Sequence, residues 1–248
     1  MPRLNNVDME NKKLPTGSYG YSAVKLDSLG ASEYTIVTLV VDVSSSVAGY
    51  KSQLESTVRE VVNACKLSPR ADNLMIRLVT FNNILDEIHG YKLLEQCNLD
   101  DYKNFLRVGG TTALFDASEN AIQASANYGK SLLANDFSVN GIVVVVTDGE
   151  DNVSAVNMNS VKSALEKIVR EECMESLVSI LIGVGVSGTT SSYLSDFHKV
   201  VGFTQYVSIG DANAKNLAKL AEFISKSISA QSQSLGTGGP STPISLTI

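Results

Sequence analysis

The sequence is short of the residues that carry most zinc, redox and nucleophilic chemistry. It has two histidines, His89 and His198, and three cysteines, Cys65, Cys97 and Cys173, among 248 residues. The cysteines are odd in number and have no CxxC spacing. They read as small apolar residues of a reducing compartment, not as a disulfide framework or a zinc site. There is no G-x-S-x-G elbow and no Cys/His pairing signal, so a hydrolase has no visible nucleophile. A basic excess is missing too: 20 Lys and Arg against 26 Asp and Glu leave a formal charge of −6, which argues against a nucleic-acid partner. No apolar run approaches the roughly 20 residues of a membrane span, so no membrane segment is expected. Met1 to Gly20 is polar, without the apolar stretch of an export signal, and a cytoplasmic location is expected.

What is present begins at Tyr34 to Ser46, YTIVTLVVDVSSS. Ile36, Val37, Leu39, Val40 and Val41 form a near-continuous apolar, β-branched run, the pattern of a parallel strand covered on both faces. It ends in Asp42, Ser44 and Ser46 at alternating positions. The carboxyl end of a strand leading through a loop to a helix is where open α/β sheets place ligands. One carboxylate and two hydroxyls, with no nitrogen or sulfur, suit Mg²⁺, Mn²⁺ or Ca²⁺ better than zinc. The plainer alternative makes Asp42 a helix N-cap followed by serines in a turn.

The remaining pattern predicts helices over 47–67, 113–133, 159–172, 191–201 and 212 to about 233. It predicts strands over 74–81, 142–146, 177–186 and 205–209, with an edge hairpin strand at 84–89 and short helical turns over 93–106. This alternation gives one α/β domain: a doubly wound, mostly parallel sheet with one antiparallel edge strand and helices on both faces. The domain is expected over residues 23–232. Residues 1–22 form an extension that could pair at a sheet edge, and residues 233–248, rich in Gly, Ser, Thr and Pro, form a flexible tail.

Three loops then bring oxygen ligands to one sheet edge: DVSSS, GGTTALFDA from Gly109, and IVVVVTDGE ending the strand from Ile142. In this order they resemble the metal-ion-dependent adhesion site of von Willebrand factor type A domains, and the resemblance runs from about Glu33 to Ala230. It implies that Ser44 and Ser46 ligate a cation directly, and that Thr112 does so directly or through water. Asp42 and Asp148 would lie close, partly through water. Thr111 remains open as the alternative to Thr112. The resemblance further implies that Mg²⁺ is the natural ion and that a partner's Asp or Glu completes its coordination. The protein would then be an interaction module and not an enzyme. Finer similarity to stand-alone prokaryotic A-domain proteins of tellurium-resistance type implies partners among kinase, phosphatase or AAA-type ATPase systems. The alternative from another class is a structural assembly subunit, of a phage or other particle, joined through its terminal arms.

Competing motifs are weaker. Gly183 to Gly188 spells GxGxxG after a strand, with Asp211 beyond, but too little chain follows to complete a dinucleotide fold. A dehalogenase-type phosphatase needs a second Asp where Ser44 stands. Glu150 and Asp151 read as a solvated acidic rim, Tyr128 and Tyr193 as packing residues, and both histidines as structural or surface groups.

Overall fold

Alternation along one strand divides the core. In β3 (Glu33–Asp42), Val37, Leu39 and Val41 face one apolar layer, while Ile36 and Val40 face the other. Strands on either side repeat this, so the sheet needs helices on both faces, as the sequence predicts. The computed structural model describes residues 2–5, 8–14, 19–238 and 244. It contains β1 (Met9–Lys12), β2 (Tyr21–Val24), β4 (Leu74–Phe81), β5 (Leu85–Leu93), β6 (Ser138–Thr147), β7 (Ser176–Val184) and β8 (Gln205–Ile209), joined with β3 in one sheet of order β1-β2-β5-β4-β3-β6-β7-β8. Helices α1 (Lys51–Lys66) and α5 (Ala214–Thr237) cover one face. The other is covered by α2 (Leu114–Leu133), α3 (Met158–Arg170) and α4 (Gly188–Val201).

β4, β3, β6, β7 and β8 are parallel neighbours. The expected α/β class is therefore observed. The antiparallel edge differs in extent, because β5 runs antiparallel to β4 but is not the edge strand. β2 lies beside it in parallel and β1 pairs antiparallel with β2. Part of the N-terminal extension is thus built into the sheet.

Buried charge explains why the arm docks there. Arg77 of β4 and Lys92 of β5 are each 1% exposed, and a buried charge needs partners. Arg77 Nε donates to Glu87 (2.6 Å) and Nη2 to Asn120 (2.9 Å). Glu87 in turn accepts from the Ser22 hydroxyl (2.9 Å), and Lys92 Nζ donates to the Leu4 carbonyl (3.2 Å). Asn5 accepts from the Gly90 N–H and donates to Ser22. The arm therefore supplies the acceptors that a strand carrying Lys92 inward requires.

At the other end, α5 continues to Thr237 and closes on Gly238 in a left-handed conformation, so the first residues of the expected tail are helical. Most of that tail lies outside the described residues. Among the described residues, no helix is long and apolar enough to cross a membrane.

Candidate metal centre

Register places two of the three loops side by side. Asp42 pairs with Phe81 of β4, and Val41 with Val146 of β6. Asp42, Asn82 and Thr147 thus leave the sheet side by side at one edge. Asp42 is 1% exposed, Ser44 3%, and Ser46 lies on the surface.

Asp42 is not an N-cap of α1, whose cap position is Tyr50. Its Oδ1 accepts from the Ser44 N–H (2.8 Å) and its Oδ2 from the Thr147 hydroxyl (2.7 Å). The first bond bends the chain into a turn that presents the serine hydroxyls. The Ser44 and Ser46 hydroxyls are 3.0 Å apart, and Ser46 donates to Asp148 Oδ1 at 2.8 Å. Four of the five expected residues are therefore linked by one chain of hydrogen bonds.

Thr112 comes in from a glycine turn. Gly110 has φ +83° and its carbonyl accepts from the Ser45 N–H (3.1 Å) and hydroxyl (3.0 Å). A Cβ on Gly110 would stand 2.3 Å from Asn83 Oδ1, so only glycine fits that close approach. Asn82 holds the same turn by donating to the Gly109 carbonyl (2.6 Å). Thr112 is 5% exposed while Thr111 is exposed. The Thr112 hydroxyl lies 3.8 Å from the position a Cβ would take on Gly149, the residue after Asp148. Of the two threonines, Thr112 is the one beside Asp148's loop.

Electrostatics suit a cation. Burial, opposed by the Ser44 N–H and the hydroxyls around it and reinforced by the charge of Asp148, pushes the Asp42 carboxyl up to about 6. No Lys or Arg is among the groups acting on it. Among the described residues, no three His, Cys, Asp or Glu cluster as a metal site, so the donors here are two carboxylates and hydroxyls. That all-oxygen set fits a hard divalent ion.

Sequence reasoning missed the supports. Asp151 is not a solvated rim residue: its carboxylate accepts from the Phe115 N–H at the start of α2 (3.2 Å) and from the Ser154 hydroxyl. Glu150 accepts from the Thr190 hydroxyl (3.2 Å). Asn152 and Ser154 also bind the segment opening α2, contacts that no motif signals. The packing expectations hold for Tyr128, stacked on Tyr91, and Tyr193, stacked on Phe115. Gly183 is a packing glycine, since a Cβ there would meet Val186 at 2.7 Å.

No protein-family model matches this chain, and no curated protein matches it. Solved structures do. Proximal thread matrix protein 1 from the mussel byssus superposes with a TM-score of 0.52 at 19% identity, over 78% of this chain and 45% of its own. The same mussel protein with, in the words of its description, a zinc occupied MIDAS motif superposes at 0.53 and 18% identity, over 79% and 46%. The fold is that of a von Willebrand factor A-like domain. The PilB minor pilin from Streptococcus sanguinis superposes on this chain with a TM-score of 0.58 at 14% identity, covering 92% of this chain and 69% of the pilin. The chain spans less than half of the mussel protein's length.

Proposed function

We propose that this A-like domain is a divalent-cation-dependent protein-interaction module with no catalytic activity of its own. The observation that carries the reading is the hydrogen-bonded chain Asp42–Ser44–Ser46–Asp148, with Thr112 placed beside it. Ser44, Ser46 and Thr112 would hold Mg²⁺, with Mn²⁺ or Ca²⁺ as substitutes, and Asp42 and Asp148 would stand behind it. When bound, the ion supplies an electrophilic centre for a partner's Asp or Glu, because neutral hydroxyls leave it under-neutralised. This chain's residues fix the hydroxyls, and no Lys or Arg acts on the buried Asp42 carboxylate. A cytoplasmic adaptor working with a kinase, phosphatase or AAA-type ATPase system is the setting that accords with its finer sequence resemblance.

The assembly-subunit reading has less support. Of the two terminal arms that would join copies, the N-terminal one is spent on its own sheet through Leu4, Asn5, β1 and β2, and most of the C-terminal one lies outside the described residues.

Thermal unfolding of EDTA-treated protein during Mg²⁺ titration tests the reading. The melting temperature should rise by ligand linkage, and Asp42→Ala should abolish the rise while the protein stays folded. An equal rise in the variant would place the ion elsewhere and overturn the assignment.

A further inference from the structure

Thr112 is held from Asp148's own loop. The Asn152 side-chain carbonyl accepts from the Thr112 N–H (2.9 Å), and the Asn152 N–H donates to the Thr112 carbonyl (3.0 Å). Asn152 is exposed, yet both groups are committed to one residue 40 positions away. The clasp continues into α2. The Ser154 hydroxyl accepts from the Phe115 and Asp116 N–H groups (both 3.1 Å). The Asp116 carboxylate returns the arrangement by accepting from the N–H groups of Ala155 (3.1 Å) and Val156 (3.0 Å). Two independent loops, one carrying Asp148 and one carrying Thr112, are thereby joined into one body. A two-point clamp on the Thr112 backbone fixes where its hydroxyl stands relative to Asp148, at the cost of no polar group inside the site.

We infer that Asn152 is a positioning residue for the metal centre, setting the place of the Thr112 hydroxyl through paired hydrogen bonds to its backbone. The inference rests on the metal-dependent reading above. It differs from a stability role because Asn152 acts only through Thr112. The bonds from Asp151, Ser154 and Asp116 already tie the loop to α2, so losing Asn152 alone leaves the fold in place.

Calorimetric titration of Mg²⁺ into the full chain tests this with a double-mutant cycle. Asn152→Ala should weaken Mg²⁺ binding about tenfold, which is about 1.4 kcal/mol. On a Thr112→Ala background, which has no hydroxyl left to position, the same change should have no effect. Asn152→Asp keeps the acceptor for the Thr112 N–H and should restore binding where Thr112 is present; it also serves if the alanine variant loses its native circular dichroism spectrum. An equal gain on the Thr112→Ala background would be the added charge acting alone and would overturn the inference. Equal losses on both backgrounds, or unchanged affinity in Asn152→Ala, would overturn the inference while wild-type binding stands. If wild-type protein takes up no Mg²⁺, the metal reading fails and this inference goes with it.

Discussion

The Ser46 hydroxyl donates its proton to Asp148 Oδ1, 102 residues further along the chain, at 2.8 Å. That direction matters for a ligand. A hydroxyl that gives its proton to a carboxylate keeps its lone pairs and gains electron density, so it binds a cation better than a free alcohol. In the proposed site, Asp148 would therefore strengthen Ser46 as a ligand. Asp42 orients Ser44 in a similar way, through its backbone N–H.

Asp42 should make the metal-free protein less stable as pH rises. Its folded-state value of about 6 lies above the ordinary 3.8, so the folded state binds the proton more tightly than the unfolded chain. The stability this brings is complete below about pH 4 and is lost as pH rises through 6. The loss is about 3 kcal/mol by pH 7. Asp42→Asn should therefore unfold at a higher urea concentration than wild type at pH 7 in EDTA, and should gain nothing from Mg²⁺. A wild type more stable than Asp42→Asn in metal-free buffer would show that the buried carboxylate is already compensated.

His89 should act in the opposite direction. It is fully buried in β5, where Nε2 accepts from the Tyr102 hydroxyl (2.8 Å) and Nδ1 donates to the Gly90 carbonyl (2.9 Å). Burial first, and then the charge of Lys92, hold it down to about 3. The unfolded chain takes up the proton near pH 6.5, so stability is full above that value and falls with pH until the folded imidazole titrates. The loss is about 2 kcal/mol at pH 5 relative to neutral pH. On the Asp42→Asn background, which removes the opposing slope, His89→Gln should flatten the dependence of urea midpoint on pH between 5 and 7.

Gly110→Ala should damage the site and the fold together. The added Cβ meets Asn83 Oδ1 at 2.3 Å, on a backbone with φ +83°. The left-handed conformation alone costs about 1–2 kcal/mol for a residue with a Cβ, and relief of the clash shifts the carbonyl that holds Ser45. A stability loss above about 1 kcal/mol, with a weaker melting-temperature response to Mg²⁺, is the expected pair of outcomes. A full Mg²⁺ response would show that the Gly110–Ser45 contact does not shape the site.

The strands and the site loops were legible because their signals are local. An unbroken β-branched run such as Ile142–Val146 can only be a buried strand here, and parallel strands put Asp42 and Asp148 on one edge by topology. The role of β1 and β2 was less legible. β1 and β2 have no periodicity of their own, and their place follows from the needs of Arg77, Glu87 and Lys92 in strands far along the chain. Asp151 looked like a solvated charge because a helix cap supplied from a neighbouring loop leaves no pattern in sequence. The distance from Asn152 to Thr112 depends on how β6 and α2 pack, which no spacing encodes. The resemblance favours Thr112 over Thr111, and their burial, with Thr112 buried and Thr111 exposed, agrees with that preference.

The open-site mechanism predicts opposite effects from one substitution. In that mechanism Thr112 would contribute a neutral hydroxyl, and the carboxylates of Asp42 and Asp148 accept hydrogen bonds from Thr147, Ser44 and Ser46. Thr112→Asp adds a third carboxylate beside the ion. Another hard anionic ligand should tighten Mg²⁺ binding. It should also weaken capture of a carboxylate-bearing partner, because the cation is now neutralised and the incoming group meets a like charge. A loss of roughly 1–3 kcal/mol corresponds to about 5- to 150-fold weaker binding. Misfolding would weaken both affinities, so the split in sign is the readout, measured by Mg²⁺ calorimetry and by partner retention on the same variant. If Thr111→Asp shows the split and Thr112→Asp does not, the ligand is the neighbouring threonine. If neither variant separates the two affinities, the ion is structural and the partner is held by another surface.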